Sequence, residues 1–150
     1  MIYLLWAVIF LFTLILQGSI SPLNVTPNLT VLLACYLGIK KGEVQGLFFG
    51  SVIGLIEDSF SSAFLGPNLL SKGLIGYLSS LIYSKFFIWT PLLGIVSTFV
   101  LTLTDCLIVF LARSIFDKMP VGIGTASFII IMQSLFNAPL GILLRPKKAQ

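Results

Sequence analysis

Long apolar stretches separated by short polar turns set the plan of this chain. Six such stretches can be marked: about Ile2 to Gln17, Pro27 to Ile39, Val44 to Glu57, Pro67 to Ser84, Trp89 to Ala112 and Val121 to Leu144. All are long enough for helices. A helix needs roughly 20 residues to cross about 30 Å of hydrocarbon. The last two stretches meet that easily, and the first three look short. Two explanations stay open for the shortfall. The turn "QGSISPLNVTPN" can itself dip into the membrane, which is tolerated where protein covers the backbone. Alternatively, the first helices tilt or thin the bilayer. The first is preferred, with Pro27 suiting the opening of the second helix.

Composition sharpens this to a membrane protein. Of 150 residues, 57% are hydrophobic and 9% charged, and the mean hydropathy is +1.09. A soluble domain carries about a quarter charged residues. The pattern predicts an all-α polytopic bundle of six transmembrane helices, with residues 1–150 forming one domain. The N-terminal stretch has no positive region before it and no small-residue cleavage pattern after it. It is expected to be a retained first helix rather than a signal peptide.

Charge then orients the chain. Lys40, Lys41, Lys85, Arg145, Lys147 and Lys148 fall on one set of turns, and Arg113 and Lys118 on the other. The positive-inside bias places both termini in the cytoplasm and the turn after Asp58 outside. The net charge of +4 is accounted for by these span ends, so nucleic acid is not an expected partner. Membrane lipid is.

The third and fourth stretches carry two stripes. Gly42, Gly46, Gly50 and Gly54 recur every four residues, and Asp58 continues the series. Residues four apart share a helix face, and a face of glycine lets another backbone come close. Asn68, Lys72, Gly76, Ser80 and Ser84 form the answering stripe. The short turn between makes the two helices antiparallel neighbours. Gly42, Gly46, Gly50, Gly54 and Gly76 are therefore expected to pack. A lone lysine at a helix centre costs roughly 2.5–3.5 kcal/mol on insertion scales. Lys72 is expected to snorkel outward or to pair with Glu57 or Asp58, and an Asp58–Lys72 pair is the simplest form. Two readings remain for Glu57, Asp58, Asn68 and Lys72: a pin for the hairpin, or a polar contact site for a partner or ligand.

Asp105 lies deep in the fifth stretch, with Thr98 and Thr102 near it, and Gln133 and Asn137 lie in the sixth. They form either interhelical hydrogen bonds or a polar cavity. Chemistry-bearing motifs are absent. There is no histidine, no phosphate-binding loop and no nucleophile elbow. Cys35 and Cys106 sit in apolar runs as small hydrophobes. Glu57 and Asp58 point about 100° apart on a helix, which suits no acid–base pair. No catalytic residue, cofactor or metal site is expected.

Residues Pro27 to Leu78 resemble the bacterial rod shape-determining MreD family. The resemblance rests on Pro27, Tyr36, Leu37, Gly38 and Gly42, then Gly50, Gly54, Leu55 and Asp58, then Ser61, Leu65, Gly66, Asn68, Gly76, Tyr77 and Leu78. Ser62 stands where the family commonly has glycine. The resemblance implies a non-enzymatic scaffold or regulator of cell shape and lateral peptidoglycan synthesis in the inner membrane. It implies as partners an MreC-type bitopic protein, the glycosyltransferase RodA with its penicillin-binding transpeptidase, and MreB. It also implies a fold similar to the substrate-binding subunits of energy-coupling-factor transporters. A vitamin-binding subunit of such a transporter is the alternative function. The first stretch has no Ala-x-x-x-Ala docking face for a coupling subunit.

Overall fold

A computed structural model describes residues 2–19, 25–61, 65–85, 90–116 and 122–144. Among these residues there are six α-helices and no strand. They are α1 (Ile2–Ser19), α2 (Leu29–Lys41), α3 (Glu43–Phe60), α4 (Pro67–Lys85), α5 (Pro91–Phe116) and α6 (Ile123–Asn137). The termini of these helices follow local chemistry. Pro67 and Pro91 open α4 and α5, where a missing N–H costs nothing. The Thr90 hydroxyl caps α5 by accepting from the Leu93 N–H at 3.2 Å. Lys40 and Lys41 stand in the last turn of α2 and Glu43 in the first turn of α3. Both placements suit the helix dipole.

The sixth apolar stretch is not one uniform helix. It changes at Asn137 into a 3₁₀ segment, Ala138–Leu143. Pro139 has no N–H to continue the α-helical ladder. α5 and the combined run Ile123–Leu143 are the two spans among the described residues that are long and apolar enough to cross a membrane.

The α3–α4 hairpin forms the most extensive interface. Its glycines explain why. A methyl group on Gly50 would meet the carbonyl oxygen of Lys72, and one on Gly54 that of Asn68. Gly46 and Gly76 face each other, each against the other's carbonyl. Four of the five glycines expected to pack therefore do so. Gly42 does not. Nothing lies within 4 Å of its missing side chain, and its φ is +95°. Its role is the tight turn from α2 to α3, a backbone conformation that glycine adopts without steric cost. Gly38 on α2 joins the packing against the Gly76 carbonyl. A second close approach sets Gly141 against the Gly94 carbonyl.

The short α2 has a structural explanation. Val25, Pro27 and Asn28 precede it in non-helical conformation and are buried within the bundle. Side chains of α6 satisfy the backbone there. Gln133 Nε2 donates to the Thr26 carbonyl at 2.7 Å, and Asn137 Nδ2 to the Asn28 carbonyl at 2.8 Å. Non-helical backbone inside a bundle is stable where it is paired in this way. The core beside it contains Val31, Cys35, Ile75 and Leu101. Cys35 and Cys106 are both buried free thiols.

Candidate functional site

The turn of α3 that carries Glu57 and Asp58 sends the two carboxylates to different partners. Adjacent residues on a helix diverge by about 100°, so one can face the bundle centre while the other faces the next helix. Asp58, 2% exposed, faces the start of α4. Its Oδ2 accepts the backbone N–H groups of Gly66 at 2.9 Å and Leu69 at 3.1 Å. Its Oδ1 accepts the Asn68 N–H at 3.2 Å and the Asn68 side-chain amide at 2.8 Å. A helix begins with unpaired N–H groups and a partial positive charge. Gly66, just before Pro67, has no side chain with which to satisfy them. Asp58 does so from the preceding helix.

Of the two carboxylates expected as partners for Lys72, Glu57 pairs with it and Asp58 does not. Lys72 does not snorkel either; it is 0% exposed. Its ammonium has three protons and three oxygens around it. These are Glu57 Oε2 at 2.7 Å, Asn68 Oδ1 at 3.0 Å and Asp105 Oδ2 at 3.8 Å. Asn68 thus links Asp58 to Lys72 without direct contact. The backbone hydrogen bonds at the start of α4 hold Asp58 on that helix end, which leaves Lys72 to Glu57 and Asp105.

We expect Asp58→Ala to lower stability by about 3 kcal/mol, since it strands N–H groups that a charged acceptor had satisfied. Asp58→Asn, which keeps one acceptor, should lose less. Thermal unfolding in detergent would show the order. An unchanged midpoint for Asp58→Ala would remove the capping role. The double variant that exchanges Asp58 and Lys72 should be no more stable than Asp58→Ala.

Glu57 and Asp105 each gather further donors. Thr30 Oγ1 lies 2.9 Å from Glu57 Oε2 and 2.9 Å from Asn28 Oδ1. Its single proton serves one acceptor at a time. Gln17 Nε2 reaches Glu57 Oε1 at 3.4 Å. Asp105, 0% exposed, accepts from Ser71 Oγ at 2.6 Å and Asn28 Nδ2 at 2.8 Å. Asn137, also fully buried, joins through the Asn28 carbonyl and lies 3.4 Å from Thr102 Oγ1. Each of the six helices contributes a side chain: Gln17, Thr30, Glu57, Lys72, Asp105 and Asn137.

The candidate residues thus separate. Glu57, Asp58, Asn68, Lys72 and Asp105 form one continuous cluster, with Asn137 attached through Asn28. Gln133 lies apart, on the Thr26 carbonyl and accepting from Cys106 Sγ at 3.1 Å. Asp105, Gln133 and Asn137 do not converge on a common cavity. Interhelical hydrogen bonding is the arrangement observed. Asn28, Thr30 and Ser71 were not apparent from the sequence as members of the cluster. Their partners Asp105 and Glu57 are remote in the chain, and no local spacing signals them. The cluster can lock helices together. It gives no exposed nucleophile and no acid–base pair open to a substrate.

Among the described residues these features define an all-helical bundle with two candidate membrane-spanning runs and an internal charge network. Residues 1–146 match the family model for rod shape-determining protein MreD. The chain belongs to that family, whose role is bacterial rod shape determination and which is a membrane protein family and not a known enzyme family. Comparison with curated proteins and with solved structures gives no match.

Proposed function

We propose that this protein is a non-enzymatic membrane scaffold of the cell-elongation machinery, acting on lateral peptidoglycan synthesis through contacts with other proteins. The observation that carries the reading is the destination of the buried charges. Lys72 on α4 contacts Glu57 of α3 and Asp105 of α5, so their chemistry serves the rigidity of the bundle. A rigid bundle presents its outer faces in fixed relation. One such face is the side of α3 that bears Val44, Phe48 and Leu55, all exposed. It is apolar and available to lipid or to a partner's transmembrane helix.

In this reading all six helices cross or enter the inner membrane, both termini are cytoplasmic, and the α3–α4 turn faces outward. An MreC-type bitopic protein is the first partner, with RodA, its transpeptidase and MreB reached in the same assembly. The family match is to shape-determining proteins and not to vitamin-transport subunits.

Depletion in the source bacterium tests the role. Rods should widen and round, lateral wall insertion should fall, and wild-type protein expressed in trans should restore both. Rods that keep their shape and wall pattern after depletion would rule the proposal out.

A further inference from the structure

A cleft of about 190 Å³ lies between α5 and α6. Its walls are mainly apolar, with Val109, Phe110, Ala126 and Ile130 among them, and the polar Ser114 and Gln133 also line it. At one end stands Arg113, in the last turn of α5. Arg113 Nη2 donates to Ser61 Oγ at 3.1 Å. Its Nε is buried and has no acceptor, and no carboxylate pairs with the guanidinium among the described residues. The helix dipole favours a cation near the end of α5. It does not account for a guanidinium N–H turned into a buried place without an acceptor. Such a group costs free energy unless an anion or another acceptor meets it.

The two halves of this cleft ask for one kind of molecule. The apolar part suits a hydrocarbon chain, since a dry cavity of about 150 Å³ takes an apolar ligand as large as benzene. The Arg113 end suits a phosphate, which guanidinium groups bind in a planar, bidentate manner. A second cleft, against α1 and α2, supplies a contrast. It measures about 300 Å³ and is lined by leucines with Thr13 and Tyr36, with no charged residue. It offers nothing to select a headgroup.

We infer that the α5–α6 cleft is a binding site for an anionic phospholipid, with an acyl chain between Phe110 and Ala126 and the phosphate on Arg113. The inference rests on α5 and α6 lying in the bilayer. If that reading were wrong, the protein would be recovered without detergent, before any lipid is added. Native mass spectrometry of the detergent-purified full-length protein tests the site itself, with phosphatidylglycerol and phosphatidylcholine titrated separately.

Wild-type protein should retain one phosphatidylglycerol at concentrations about tenfold lower than phosphatidylcholine, the effect of one charged contact. Arg113→Gln should bring the two lipids together, and Arg113→Lys should keep part of the preference. Ala126→Phe should weaken both by filling the cleft. Excess inorganic phosphate should leave the bound lipid in place. Equal retention of the two lipids by the wild type would overturn the site, as would displacement by phosphate alone. A preference undiminished in Arg113→Gln would do the same. Should Arg113→Gln fail to fold, unaltered lipid retention by Ala126→Phe would overturn it.

Discussion

Gly54→Ala and Gly50→Leu should each break the α3–α4 hairpin, with Gly50→Leu abolishing assembly. At these positions the obstacle is backbone. The first atom of a new side chain on Gly54 meets the carbonyl of Asn68, and on Gly50 that of Lys72. A flexible side chain could move aside, but a helix backbone moves only with its whole helix. Overpacking a core costs typically about 1–3 kcal/mol, and this contact repeats at Gly46 and Gly76, so we expect the upper end or beyond. The shift would also draw the Asp58 carboxylate off the start of α4. Two glycines serve as internal controls. Gly124 has open space around it, so Gly124→Ala should be neutral or slightly stabilising. Gly42→Ala meets no atom but must adopt φ +95°, a strain of about 1 kcal/mol. Protein level in the membrane and thermal midpoint in detergent would rank the four variants. Normal levels and an unshifted midpoint for Gly54→Ala would refute the backbone contact.

Lys72→Met should be the most damaging single change in the charge network, costing about 3–5 kcal/mol. Methionine fills the volume but leaves Glu57 and Asp105 without the cation that each contacts. Removing one partner of a buried pair strands the other; replacing the whole set by neutral groups does not. Glu57→Gln with Asp105→Asn in the Lys72→Met background should therefore recover much of the stability. Recovery in the triple variant, measured as thermal midpoint and as rod shape after complementation, would separate two roles. Stability and shape returning together means that the charges serve the fold. Stability returning without shape means that the network also acts in function. A triple variant no more stable than Lys72→Met alone would show that the ion pairs do not govern this site.

Much of the architecture is written in short-range features. The prolines at the starts of α4 and α5 and the turn at Gly42 place helix ends within a residue or two. The four-residue glycine period identified the packed face of α3, because helix periodicity converts spacing directly into direction. The same period overreached at Gly42, which continues the spacing beyond the end of the helix that gives it meaning. Pairing of the charges was legible only in outline. Glu57 and Asp58 are neighbours, so a rotation of one residue exchanges their targets, and the sequence does not state which side of α3 faces α4. Asp105 was recognisable as costly, but its donors Asn28 and Ser71 come from distant segments. The buried stretch before α2 was suggested by the missing charge and the shortness of the helix. That its carbonyls are held by Gln133 and Asn137 could be seen only with α6 in place.

On the proposal that all six helices enter the membrane, the charge network has a consequence for biogenesis. The chain is made from its N-terminus, so Glu57 has already emerged when Lys72 is synthesised, and Asp105 follows later. A lysine delivered alone to the hydrocarbon costs roughly 2.5–3.5 kcal/mol at mid-depth. With Glu57 2.7 Å away on the helix just before it, Lys72 enters as half of an ion pair within one hairpin. The glycine faces let that hairpin close at once. Asp105 then arrives on α5 and meets a partner already in place. The order of the helices in the gene is thus also an order in which each expensive charge finds its counterpart during insertion.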